Sequence, residues 1–146
     1  MISQLDKVPK ITESRMSRKL GRVDPHRFIF DLDAAILGQI LQTLRESPWL
    51  PLVRDVGPNK RGVYAIFLKG RVVFVGKALR SATPGKQSIR ERLNEHVAKV
   101  ADRPKLPPHE LNCQFLTIKN DRLVGAAECR LINFFKPEWN DWGFDE

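Results

Sequence analysis

The fifteen residues GVYAIFLKGRVVFVG, 62–76, constrain this chain more than any other segment. Two runs of β-branched and aromatic residues flank Lys69 and Gly70, the pattern of a β-hairpin closed by a tight turn. Register decides what such a hairpin presents, because a slip of one residue moves a side chain to the other face. A two-residue loop at Lys69–Gly70 sets Tyr64 opposite Val75 and sends Phe74 to the far face. A three-residue loop, with Gly70 left-handed beside a bulge, sets Tyr64 opposite Phe74. The second arrangement is the expectation.

Helical periodicity supplies the elements that cover this hairpin. With Asp31 or Asp33 as N-cap, Ala34, Ile36, Leu37, Ile40, Leu41 and Leu44 recur on one helical face, and Pro48 ends the run. Ser88 and Glu91 form a capping box just ahead of Leu93, Val97 and Val100. Residues 112–118 read as a third strand, and residues 122–135 as a last helix that stops before Pro137. Residues 49–61, with Pro51, Gly57, Pro58 and Asn59, read as a loop, as do residues 77–86. The order α, β, β, α, β, α predicts an α+β domain. An N-terminal helix, with a basic arm before it, precedes the strands. A chain of 146 residues buries enough surface for one core. Residues 1–27 are then the arm, residues 28–60 a helix and loop packed on the core, and residues 61–142 the core itself.

Charge narrows the partner. Lys and Arg number 25 against 17 Asp and Glu, a net +8 that favours a polyanion, of which nucleic acid is the commonest. Lys7, Lys10, Arg15, Arg18, Lys19, Arg22 and Arg27 give the arm a surface for a phosphate backbone, although a plain basic tail has the same composition. No apolar run approaches the roughly 18 residues needed to cross a bilayer. The amino-terminal stretch lacks a signal-like apolar core, so the expectation is a cytoplasmic protein with no membrane partner. Cys113 and Cys129 lie in no CxxC or Cys/His cluster and read as reduced, buried thiols.

A few side chains fit a purely structural role poorly. With Val124 set at 0°, Leu131 falls at about 340°, Phe135 at about 20° and Glu128 at about 40°, so a carboxylate sits inside the apolar stripe. Burying it alone is costly, so it needs a cation, a metal or a wet cleft. A stripe partly exposed at Glu128, paired with an arginine, is the plainer alternative. On the preceding helix Arg92 and His96 are four residues apart and project from the same side as Leu93 and Val100. A satisfied core histidine explains His96 equally well, whereas two such groups in a basic protein also suit a phosphate. Tyr64 reads as packing or chemistry. Trp139, Asn140 and Trp142 read as a docked tail.

Taken together, these residues resemble the GIY-YIG nuclease family over about 80 residues, 62–140. Gly62-Val63-Tyr64 is similar to the first half of the naming motif, and Phe74-Val75-Gly76 to the second, with Lys77 following. Arg92 matches the family's helix arginine, Glu128 its metal-binding glutamate, and Asn140 its late asparagine. The Arg92–His96 pair resembles the branch of small type II restriction endonucleases. Phe74 departs from the pattern, since the family has a second tyrosine there.

The resemblance implies a small three-stranded antiparallel sheet flanked by helices, with the N-terminal helix and basic arm before it. It also implies a divalent-metal-dependent endonuclease that hydrolyses DNA phosphodiester bonds, restriction-like in its cutting. A structure-specific repair or mobile-element nuclease, and an inactive nucleic-acid-binding module, are the alternatives. Glu128 would hold one ion, Mg²⁺ with Mn²⁺ as substitute, because hard oxygen ligands suit it. Arg92 would bind non-bridging oxygens. Tyr64 would act as general base on water, with Lys77 as rival for that role. His96 would bind phosphate or orient Tyr64, and Asn140 would fix local geometry. Arg80, Lys86, Arg90 and the arm would contact DNA, and no organic cofactor is implied. Cutting both strands of a palindromic site is simplest for a homodimer. The helix over residues 33–44 is its candidate interface, unless that helix simply covers the sheet.

Overall fold

The hairpin turn is built as Lys69 and Gly70 dictate: both have positive φ, 53° and 80°, the requirement of a two-residue type I′ loop. It joins β2 (Gly62–Leu68) to β3 (Arg71–Ala78). Leu68 faces Arg71 and Phe67 faces Val72, but Ile66 faces Phe74, so one extra residue is accommodated at Val73. This corrects the expected three-residue loop. The bulge lies inside the strand, and Tyr64 faces Gly76 instead of Phe74. Val73 and Phe74 consequently share a face, and Phe74 stands beside Tyr64 on it.

The computed structural model describes residues 24–79 and 87–142. Residues Met1–Asp31 form one unit and Leu32–Glu146 another. The described part of the first is a 3₁₀ turn, Pro25–Arg27, followed by the exposed Phe28, Ile29 and Phe30. Most of the basic arm expected over residues 1–27 lies outside the described residues. The second unit holds α1 (Leu32–Glu46), β1 (Leu50–Pro51), β2, β3, α2 (Ile89–Ala101), β4 (Leu111–Thr117) and α3 (Asp121–Phe135). It is an α+β fold. No described helix is long and apolar enough to cross a membrane.

The antiparallel sheet has four strands in the order β1-β4-β2-β3, one more than expected. The addition is β1, two residues paired through Leu50 with Cys113 and Pro51 with Asn112. A proline is admissible because β1 is an edge strand, where a missing N–H costs no ladder bond. Six of the seven residues of β2 are buried, as expected for an inner strand covered on both faces. On one face Tyr64, Ile66 and Phe74 pack with Ile89, Leu93 and Val100 of α2. On the other, Val63, Ala65, Phe67 and Val75 pack with Ile40 and Leu44 of α1 and with Val124, Ala127 and Leu131 of α3. Helix α1 therefore covers the sheet. The Gln114 side chain reaches from β4 to donate to the Leu44 and Ser47 carbonyls at 2.7 and 3.0 Å, satisfying the orphan acceptors at the end of α1.

The expected cap at Ser88 forms: its Oγ accepts from the Glu91 N–H at 3.2 Å. Asn120, a cap that was not expected, accepts from the Arg122 N–H at 2.9 Å at the start of α3. Cys113 is buried, and burial pushes its thiol up to about 12. Cys129 is exposed, contrary to expectation, because its position on α3 turns away from the sheet.

Candidate active site

Three consecutive residues of the edge strand β3, Val75, Gly76 and Lys77, gather the sequence-predicted side chains from three directions. Gly76 faces α2, and Tyr64 lies over it. A Cβ at Gly76 would stand 2.5 Å from Tyr64 Cζ and 2.9 Å from Phe74 Cε1, so the strand needs glycine for space. The Tyr64 hydroxyl meets His96 Nε2 at 2.7 Å. Phe74 fills the third corner, with its ring centroid 4.6 Å from His96 and 6.0 Å from Tyr64. Tyr64 and His96 are each 1% exposed. Replacing Gly76 with Ala should force Tyr64 off its seat and destabilise the fold by about 2 kcal/mol, a typical overpacking cost. Urea denaturation measures this, and a variant as stable as the parent would show the seat to be loose.

His96 is held far below the ordinary imidazole range, at about 3, first by burial and then by the Arg92 and Lys99 cations. A neutral ring can hold the phenol but cannot serve as a cationic phosphate ligand. Of the two roles the resemblance implied, its position favours orienting Tyr64. The unfolded chain protonates His96 near pH 6.5 and the folded chain only near pH 3. Its contribution is therefore complete above pH 6.5 and lost as pH falls toward 3. Between pH 7 and 4 the stability difference between the parent and His96→Gln should shrink by about 3 kcal/mol. Denaturant melts at both pH values test this, and an unchanged difference would show that His96 titrates normally.

Lys77 points to the other face, where its Nζ pairs with Glu128 of α3 at 3.6 Å. The Glu128 side chain is 20% exposed and that of Lys77 42%. The carboxylate in the apolar stripe thus lies at the rim of α3 with a cation against it, a lysine where the plainer reading had an arginine. Asn140 closes the strand's outer edge. Its Oδ1 accepts from the Val75 N–H at 3.0 Å, and its Nδ2 donates to the Val75 carbonyl at 2.8 Å, in place of a further strand.

Arg92 stands one helical turn before His96, and its guanidinium pairs with Glu95 at 3.2 Å. Glu95 was missed from the sequence, although its i, i+3 spacing from Arg92 could have revealed it. Arg90 points about 160° away from Arg92 around α2. It donates from Nε to the Gly57 carbonyl at 2.8 Å. Arg80 and Lys86 lie outside the described residues.

Among the described residues no group of three or more His, Cys, Asp or Glu could hold a metal. The sequence-predicted site residues include one carboxylate, that of Glu128, which is partly exposed. A single hard oxygen donor suits Mg²⁺, which keeps most of its waters. The donor set fits such an ion, provided Lys77 yields its place against Glu128.

No family model matches the chain, and no curated protein does. Among solved structures the chain is similar to the GIY-YIG N-terminal endonuclease domain of UvrC from Thermotoga maritima bound to magnesium. That likeness has 18% identity and a TM-score of 0.43, covering 68% of this chain and 97% of that one. Two single-residue variants of the same domain, each bound to its catalytic divalent cation, are also similar. A tyrosine-to-phenylalanine form has 19% identity, a TM-score of 0.43 and coverage of 68% and 97%. An asparagine-to-alanine form has 19% identity, a TM-score of 0.42 and coverage of 67% and 94%.

Proposed function

We propose that this chain is a GIY-YIG-type endonuclease that hydrolyses DNA phosphodiester bonds with a divalent metal, Mg²⁺ first. Its Arg92–His96 pair favours a restriction-like enzyme. The observation that carries this reading is the convergence on β3: Asn140 on Val75, Tyr64 over Gly76, and Glu128 on Lys77. Net charge +8 suits the substrate.

In-line displacement at phosphorus needs an oriented water, relief of charge on the phosphate and help for the leaving oxygen. Tyr64 is buried, and its hydroxyl lies over Gly76 against His96; from there it would orient the attacking water or take its proton. His96, kept neutral, fixes that hydroxyl. Arg92 meets the non-bridging oxygens with two parallel N–H groups. Glu128 would hold the ion once Lys77 yields its place against the carboxylate, and Lys77 would then rival Tyr64 for the proton. Held by Glu128, the ion would supply Lewis-acid stabilisation of the phosphate and the departing 3′ oxygen. Asn140 holds β3 straight, so that these groups keep their spacing.

A second reading, a catalytically inactive nucleic-acid-binding module, draws on the Lys77–Glu128 ion pair, which already satisfies the carboxylate. Supercoiled plasmid separates the two. The nuclease reading expects Mg²⁺-dependent conversion to nicked and linear forms, blocked by EDTA. Plasmid that is retarded but uncut in Mg²⁺ or Mn²⁺ favours the binding module.

A further inference from the structure

Residues 53–61, between β1 and β2, lack regular structure, yet they are fastened along one side of α2 by five hydrogen bonds. The Asp55 N–H donates to Asn94 Oδ1 at 2.8 Å, and Asn94 Nδ2 donates back to Asp55 Oδ1 at 2.9 Å. Arg90 gives its Nε to the Gly57 carbonyl at 2.8 Å and its backbone N–H to the Pro58 carbonyl at 3.1 Å. The Ile89 N–H donates to the Lys60 carbonyl at 2.9 Å. Gly57 allows the close approach, since a Cβ there would stand 3.0 Å from both Ile89 and Leu93 side chains. Loop carbonyls thus satisfy the first amides of α2, and what this surface offers a ligand is its side chains.

Those side chains are cations. Arg54, Lys60 and Arg90 are exposed. Among the described residues neither Arg54 nor Lys60 has a carboxylate within ion-pair distance. The loop's one acid, Asp55, is turned into Asn94. Arg61 is spent on Asp121 at 2.6 Å. Rigidity matters here, because a loop already fixed loses little further freedom when it binds.

We propose that residues 53–61 and Arg90 form a phosphate ledge that grips duplex DNA on the side of α2 opposite Arg92. The proposal rests on the nuclease reading for its ligand. The ties at Asn94 and Ile89 are five residues apart, about 7.5 Å of helix rise. That length matches about two phosphates of one strand, at about 3.4 Å of axis each. The ledge and Arg92 are separated by the body of α2, about 10–12 Å across. DNA of major-groove width, about 12 Å, bridges that distance.

The test is fluorescence anisotropy of a labelled mixed-sequence duplex in EDTA over a salt series. In the double variant Arg54→Gln with Lys60→Gln, Kd at 0.1 M salt should rise about tenfold. The slope of log K against log salt should flatten by about 1.8, two contacts at about 0.9 each. The charge-keeping pair Arg54→Lys with Lys60→Arg should restore both, which a merely structural role would not do. An unchanged Kd and slope in the double variant overturns the ledge, even if the parent protein cuts plasmid. A parent that binds with the expected slope and loses it in the double variant, yet cuts nothing, supports the ledge and refutes the nuclease. No DNA binding by the parent at 0.1 M salt overturns both.

Discussion

Glu128→Gln should lower metal-dependent cleavage about a thousandfold or more while the fold persists. Among the described residues Glu128 is the only carboxylate in contact with Lys77. The amide keeps the shape of the side chain and removes its charge. Metal assistance to phosphoryl chemistry is worth several kcal/mol, and about 4 kcal/mol corresponds to three orders of magnitude in rate. Stability should change by less than about 1 kcal/mol, because an ion pair this exposed contributes little. Single-turnover cleavage with a thermal melt alongside measures both. A variant that cuts like the parent would place the metal elsewhere.

Tyr64→Phe is the second large effect. It removes one oxygen from the core and leaves every apolar contact, since Phe74 already shows that a phenyl ring suits this layer. The hydroxyl's hydrogen bond with His96, at 2.7 Å, disappears. Losing a positioned acid–base group costs about 10²–10⁴ in rate, whereas a lost hydrogen bond costs about 1 kcal/mol of stability. The expected pattern is therefore a cleavage rate down about a thousandfold with a melting temperature lowered by only a few degrees. If cleavage persists within tenfold, the proton is handled by Lys77, and Tyr64 is a packing residue.

Local rules made much of this fold legible. The capping box at Ser88 and Glu91 and the proline after α3 each act within a few residues, so sequence alone carries them. The hairpin's place is carried in the same way, but not its two-residue loop, which was expected to have three. The wheel that put Glu128 in an apolar stripe and His96 beside Leu93 was equally local. The register was not. The expected and observed pairings of Tyr64 differ by two residues, Phe74 against Gly76. Two is an even number, so the face came out right while the partner did not. Nothing in the run Val72-Val73-Phe74 marks Val73 as the bulge, because its cause is the packing of both faces. Strand β1 was missed because two residues with a proline carry no period. The partner of Glu128 depends on which β3 residue faces α3, a contact between elements that no single helix wheel reveals. The clamp of residues 53–61 on α2 is of the same kind: Asp55 and Asn94 are 39 residues apart.

The proposed cleavage requires a divalent ion seated at Glu128 beside the middle of β3, and paramagnetic broadening by Mn²⁺ tests that directly. On titration into ¹⁵N-labelled protein, the amide signals of Gly76, Lys77 and Glu128 should broaden before all others, and they should stay sharp in Glu128→Gln. Broadening centred elsewhere, or broadening of the same amides in the variant, would contradict it.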